Sequence, residues 1–277
     1  MLAEASYGKS GVRLVQVTRR SDRHVLRDLT IAVRFEGGYD ASYVEGDNSD
    51  VLPTDTMKNT VYAFAGRGPL EEPESFGLAL GEHFLDNNPR LQRATIDLTE
   101  HLWSRIRVEG HEHPHAFARD GADVRTAQIR MDRREVQVRA GVADLVILKS
   151  AQSAFSGFPR DQFTTLPETR DRILATALTA TWRYDAGTAY GPAWHAVRRT
   201  LLHAFAEHDS ESVQHTLHAM GQAVLESVPD VAEIHIVMPN RHHLPIDLTR
   251  FGLENLNEIF VATEEPFGLI QAMVRRT

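Results

Sequence analysis

Thr54 and Asp55 are two small polar residues at the seam between an extended run and a helical one, in NSDVLPTDTMKNTVYAFAG. Such a pair is ordinarily an N-cap, here for a helix starting near Thr56. A helix N-terminus also carries unsatisfied N–H groups and a partial positive charge, so it suits an anionic ligand. HDSESVQHTL repeats the arrangement: Asp209 or Ser210 caps a helix, with Val213 and Gln214 in or near its first turn. A flat anion with several acceptor atoms could use both ends. Arg172, in ETRDRIL, could pair with a planar anion, and Phe155, in SAFSGF, could stack on a ring. Their everyday uses are a surface charge and a core aromatic. Lys9, in YGKS, is by itself an ordinary surface lysine. Asn240 and His242 sit where a strand passes a proline, which points to a loop.

The other polar cluster is HEHPHAF, with His111, Glu112, His113, Pro114 and His115. Alternating histidines could bind a metal, with NRHH at Asn240 to His243 adding ligands. Pro114 breaks regular structure, and histidines this close on a loop rarely converge on one ion, so the expectation is a polar loop between strands and no metal site. No Walker loop, no G-x-G-x-x-G after a strand and no G-x-S-x-G elbow is present.

The elements that must position these residues follow from periodicity. In DLTIAVRFEGG, Leu29, Ile31, Val33 and Phe35 alternate with polar residues, a half-buried strand ended by Gly37-Gly38. With GVRLVQVTRR before it, residues 10–36 read as a long hairpin. PESFGLALGEHFLDNNP carries the helical stripe Phe76, Leu80, Phe84 between Pro73 and Asn87-Asn88-Pro89. Alternation returns in ATIDLTEHLWSRIRVEG and from Val124 to Val138. The second half repeats the order: strands in GVADLVILKS and DRILATALTATWRY, then helices on Trp194, Val197, Leu201, Phe205 and on Val213, Leu217, Met220, Val224, then strands in EIHIVMPN and NEIFVATEEP. Strands followed by helices predict an α+β chain with antiparallel sheets. The halves are 1–140 and 141–277, with no flexible linker between them.

The 277 residues are enough for two domains, and 42% hydrophobic with 25% charged residues is a globular composition. A net charge of −8 and scattered basic residues argue against a nucleic-acid partner. The absence of cysteine excludes disulfides, thiolate nucleophiles and Cys-ligated metals. MLAEASYGKSGVRL lacks the apolar core of a signal peptide, no run approaches the ~20 apolar residues of a membrane span, and VRRT is no peroxisomal address. The expectation is a cytoplasmic protein without membrane contact.

YGKSGVRLVQV, GDNSDVLPTDTMKNTVYAFA, LKSAQSAFSGFPRDQFTTLPETRDRILAT, AFAEHDSESVQHTLHAMG, MPNRHHLPIDL and NEIFVATEEPFGLIQA together resemble cofactor-independent urate oxidase, or uricase. The resemblance runs in order and spacing through nearly the whole chain. It implies two tandem tunnelling-fold (T-fold) halves and a homotetramer around a central tunnel, with active sites at dimer interfaces. It implies oxidation of urate by O₂ and water to 5-hydroxyisourate and hydrogen peroxide, without metal or organic cofactor.

The resemblance also assigns roles. Lys9, Thr54 and His242 match the family's proton relay; a threonine hydroxyl is a poor base alone and needs a lysine and an imidazole to shuttle its proton. Arg172 would grip the urate edge with two parallel bonds, Gln214 would complement it with an amide, and the Val213 N–H would add a donor. Phe155 would stack on the purine, and Asn240 with Thr54 would hold O₂ or water over the other face. The Asp55 N–H would contact substrate from across the interface, so Thr54 and Asp55 serve a neighbouring subunit's site. Pro53, Ala154, Met238, His243 and Pro245 depart from the family pattern without removing any of these residues. A purine-binding relative without catalysis and a histidine-zinc enzyme of the same fold are the competing readings; the complete relay weighs against the first, and the urate constellation against the second.

Overall fold

Residue 2 and residues 4–119 and 121–276 are described in the computed structural model. The fold is α+β with antiparallel pairing, as the order of periodicities predicts. The chain divides into two units, Met1–Gly141 and Val142–Thr277.

In the first unit, β1 (Ser6–Arg19) and β2 (His24–Gly37) form the expected hairpin, beginning earlier than residue 10. The strand order is β1-β2-β3-β6-β7, with β3 at Leu91–His101, β6 at Val124–Asp132 and β7 at Val136–Lys149. The short helix α1 spans Asp40–Val44. Longer helices α2 (Thr54–Ala65) and α3 (Pro73–Asn87) cover the apolar sheet face. Ile31, Val33 and Phe35 of β2, Ile96 and Leu98 of β3 and Ile129 of β6 are buried there under Leu80 and Phe84 of α3. Phe84 meets Phe35 edge-on at 5.0 Å between ring centroids. Gly77 sets how closely α3 approaches: a Cβ there would lie 2.8 Å from Ile129 Cδ1 and 2.9 Å from Leu98 Cδ1.

The strands β4 (Ser104–Val108) and β5 (His111–Ala118) make a separate two-stranded ribbon. The HEHPHAF segment is therefore strand, not loop. Pro114 is tolerated because such a ribbon leaves an edge where its missing N–H is not needed. Arg105 Nη1 instead reaches the Pro114 and His113 carbonyls at 3.0 and 3.3 Å.

The second unit has the order β7-β8-β9-β10, with β8 at Leu174–Tyr184, β9 at Val231–Pro245 and β10 at Phe260–Arg275. Helices α4 (Tyr190–Glu207) and α5 (Val213–Ser227) pack on one another, and α5 lies on β9 and β10. Trp182, Trp194, Leu201, Met220, Ile234 and Ile236 form the core. The strand β9 continues through Asn240 and His242, which corrects the expected loop. Pro239 interrupts nothing, because the partners on either side supply the register: Leu269 faces Pro239, and Thr176 and Gly268 both face Asn240. No helix among the described residues is long and apolar enough to cross a membrane.

Candidate active site

The first-unit candidates lie where a core-facing strand row runs out beside a helix N-terminus. In the first unit that row is Leu14 and Val12 of β1, continued by Lys9 and Tyr7. Strict alternation would place Lys9 and Val12 on opposite faces. A bulge at Ser10–Gly11 prevents this: Lys9 faces Val33 while Val12 faces Ile31, and both partners point into the core. Gly11 takes the left-handed φ of 69° that the bulge requires. Gly8, between Tyr7 and Lys9, lies so close to β2 that a Cβ would run into the Val33 carbonyl oxygen.

The strand β1 also fixes α2 at both ends. The Tyr7 hydroxyl accepts the Leu52 N–H at 3.0 Å, two residues before Thr54. At the far end Gln16 donates to the Ala65 and Gly68 carbonyls, at 2.7 and 2.9 Å, and accepts the Leu70 N–H at 2.7 Å. The helix begins at Thr54, not near Thr56. Pro53 occupies the cap position without a side-chain cap, so Thr54 and Asp55 are first-turn residues. Their N–H groups have no intrahelical acceptor; the Pro53 carbonyl takes the Met57 N–H, at 3.2 Å. The Asp55 carboxylate turns to Lys58 and to Asn59, the latter at 3.0 Å. The Lys58 hydrogen bond and charge lower its pKa, and the nearby Lys9 charge adds to this. The packing of α2 on β1 and the Tyr7–Leu52 bond bring the Lys9 segment to the start of α2.

In the second unit the segment around Phe155 is stitched to two others. The Ala154 N–H donates to the Ser210 carbonyl at 2.6 Å, and the Ser210 N–H to the Gln152 carbonyl at 3.1 Å. Phe155 exchanges backbone bonds with Thr169, at 2.8 and 3.0 Å, and the Arg172 N–H donates to the Ser153 carbonyl at 2.9 Å. These bonds join Phe155 to Arg172 and to the approach of α5. The Arg172 guanidinium carbon stands 5.2 Å from the Phe155 ring centroid. Burial lowers the Arg172 pKa, and its Nε is buried without an acceptor among the described residues.

Ser212 caps α5, not Asp209 or Ser210: its hydroxyl accepts the His215 N–H at 3.1 Å. Ser210 is instead buried and donates to the Ser212 carbonyl at 3.0 Å. Val213 and Gln214 therefore open the helix with free N–H groups, Val213 buried and Gln214 exposed. On β9, Asn240 and His242 continue the core-facing row of Ile234, Ile236 and Met238. Asn240 is 9% exposed, so its carboxamide lies at the lip of the core.

A uricase family model matches residues 5–130 and 138–271. The chain belongs to the uricase family. The uricase of Arthrobacter globiformis is 43% identical over 277 residues, all of this chain and 90% of its own length. The uricase of Danio rerio is 37% identical over 277 residues, 98% of this chain and 93% of its own. The crystal structure of the Arthrobacter globiformis uricase superposes with a TM-score of 0.94, covering 100% of this chain and 95% of that one. A uricase structure from Bacillus fastidious, 24% identical with a TM-score of 0.86 over 98% of this chain and 93% of that one, shares the fold.

Of the candidate residues in this uricase family member, Lys9, Thr54 and Asp55 meet in the first unit. Phe155 and Arg172 meet in the second and are tied through Ser210 to the helix bearing Val213 and Gln214, while Asn240 and His242 share a row of β9. Sequence reasoning missed the supports: Tyr7, Gln16, Ser153, Thr176 and Ser212. Tyr7 was discoverable, since it precedes Lys9 by two in a strand. Among the described residues, no group of three or more His, Asp or Glu side chains converges as metal ligands.

Proposed function

We propose that this chain is a urate oxidase, converting urate, O₂ and water to 5-hydroxyisourate and hydrogen peroxide. The observation that carries the reading is the Arg172–Phe155 pair: a half-buried guanidinium with an unpaired Nε, beside an aromatic face and a helix N-terminus. A planar purine anion satisfies all three. Arg172 grips its edge bidentately, Gln214 adds an amide, and the Val213 N–H donates. Phe155 stacks on the ring.

The electrons come from the deprotonated, electron-rich urate and pass to O₂, so the reading requires neither metal nor organic cofactor. Lys9, Thr54 and His242 move the proton: the threonine hydroxyl passes it between amine and imidazole. Asn240 and Thr54 hold O₂, then water, over the ring face opposite Phe155. Each unit is read as one T-fold half. Lys9, Thr54 and Asp55 lie in the first and the other candidates in the second, and the reading takes a homotetramer whose sites join Thr54 and Asp55 of one subunit to the second-unit set of a neighbour. A cytoplasmic location goes with this reading.

The test is urate disappearance by ultraviolet absorbance, with peroxide followed alongside, in chelator-treated buffer. Equal loss of urate and gain of peroxide is expected. Urate that binds but is not consumed would leave a purine-binding protein, and loss of activity to chelator would make the enzyme metal-dependent.

A further inference from the structure

The second-unit site rests on polar atoms that the protein itself leaves unmatched. Ser153 Oγ, Arg172 Nε and Thr176 Oγ1 are all buried without hydrogen-bond partners among the described residues. Ser153 holds Arg172 through its backbone carbonyl, while its hydroxyl is left unmatched. Arg172 is explained by its proposed ligand. Thr176 has no such account. It is fully buried, closing the core-facing row of Leu178, Ala180 and Trp182 on β8. An orphaned buried hydroxyl is costly and rare in native proteins, and valine would fill the same space without it.

The residue facing Thr176 across the ladder is Asn240. Directly paired residues of antiparallel strands point to the same side, with Cβ atoms about 4.5–5.5 Å apart. Among the described residues, no side-chain hydrogen bond holds the Asn240 carboxamide. A half-turn of that group exchanges a donor for an acceptor at the same place, so its orientation decides what an oxygen species above it meets.

We propose that Thr176 is a positioning residue. Its hydroxyl donates to Oδ1 of Asn240 in the substrate-loaded enzyme and turns the Asn240 NH₂ toward the oxygen species. This rests on the reading of Asn240 as the holder of O₂ and water. A donor fixed there stabilises negative charge as it develops on oxygen during reduction, while the urate contacts of Arg172, Gln214 and Phe155 are untouched.

The experiment compares Thr176→Val and Thr176→Ser with the wild-type enzyme. Urate affinity is measured anaerobically, turnover is measured with urate and O₂ varied separately, and melting temperature is recorded. In T176V, urate affinity is expected to stay within about twofold, kcat to fall about tenfold to a hundredfold, and KM for O₂ to rise. T176S should recover most of the rate. Wild-type turnover in T176V, with a raised melting temperature, would show that the hydroxyl is idle in every state and overturn the proposal. Equal loss of urate affinity in both variants would overturn it too, in favour of a packing role. A wild-type enzyme that binds urate without oxidising it would defeat the parent reading instead, and is recognised before any variant is compared.

Discussion

Single side chains carry the chemistry, and their separate duties make separable predictions. In the proposed site Arg172→Ala removes a charged, bidentate partner, so urate binding should weaken by about 2–5 kcal/mol, read by anaerobic calorimetry. Unchanged affinity would remove Arg172 from the substrate edge. Lys9→Met should leave that affinity alone and lower kcat, because the proposed relay moves protons without gripping the ring; intact turnover would refute the relay. The residues proposed for these duties were legible as polar types at the seams between elements. Their supports were not. A Tyr7 hydroxyl bonded to Leu52 joins positions 45 residues apart, and Thr176 reads as one more residue in a strand. Glu74 is likewise fully buried against Arg125, 51 residues away, at 2.6 Å; periodicity alone does not reveal such a pair.

At the level of elements, hydrophobic repeats gave the long hairpin, α3, α4 and α5 almost as they stand, because apolar burial decides those segments. They failed where local chemistry competes with the repeat. Pro114 hid a strand in an edge ribbon, and Pro239 suggested a loop in a strand held from both sides. Close strand approach at Gly8 predicts that Gly8→Ala costs about 1–3 kcal/mol in urea unfolding, since the carbonyl it meets belongs to the backbone. An unshifted midpoint would show that β1 has room to move. The end of α4 adds a pH dependence. The His208 ring lies 4.3 Å from that of His215, and its carbonyl accepts the Lys149 ammonium. Burial first, then the neighbouring His215 and Lys149, lower its pKa, with Asp209 opposing. The unfolded chain therefore takes up the proton more readily than the folded one. The stability of the neutral ring is full above the ordinary histidine value, about 6.5, and is lost as pH falls through the lowered value. Melting temperature should decline with acidification over that window, and His208→Gln should flatten the decline; an equal slope in the variant would point to another group.

For the molecule as a whole, the division of candidates between units makes complementation the decisive test of assembly. Lys9→Met disables the first-unit set and Arg172→Ala the second. Co-expressed, the two impaired chains should regain activity, because the proposed assembly pairs an intact first unit with an intact second unit from different subunits. No regain in verified mixed tetramers would mean that each chain completes its own site. The bulge at Ser10–Gly11 has a consequence of another kind, for how the gene can change. It splits β1 into two arms whose faces are counted separately. A codon gained or lost before Ser6, or in the turn between Arg19 and His24, leaves Lys9 on its side of the sheet. Losing one between Lys9 and Val12 removes the bulge itself: the two residues then stand two apart, and plain alternation keeps both opposite Val33 and Ile31. Descendants of this sequence can therefore change length outside the strand, or lose Ser10 or Gly11 within it, and still carry the Lys9 amine on the same side of the sheet.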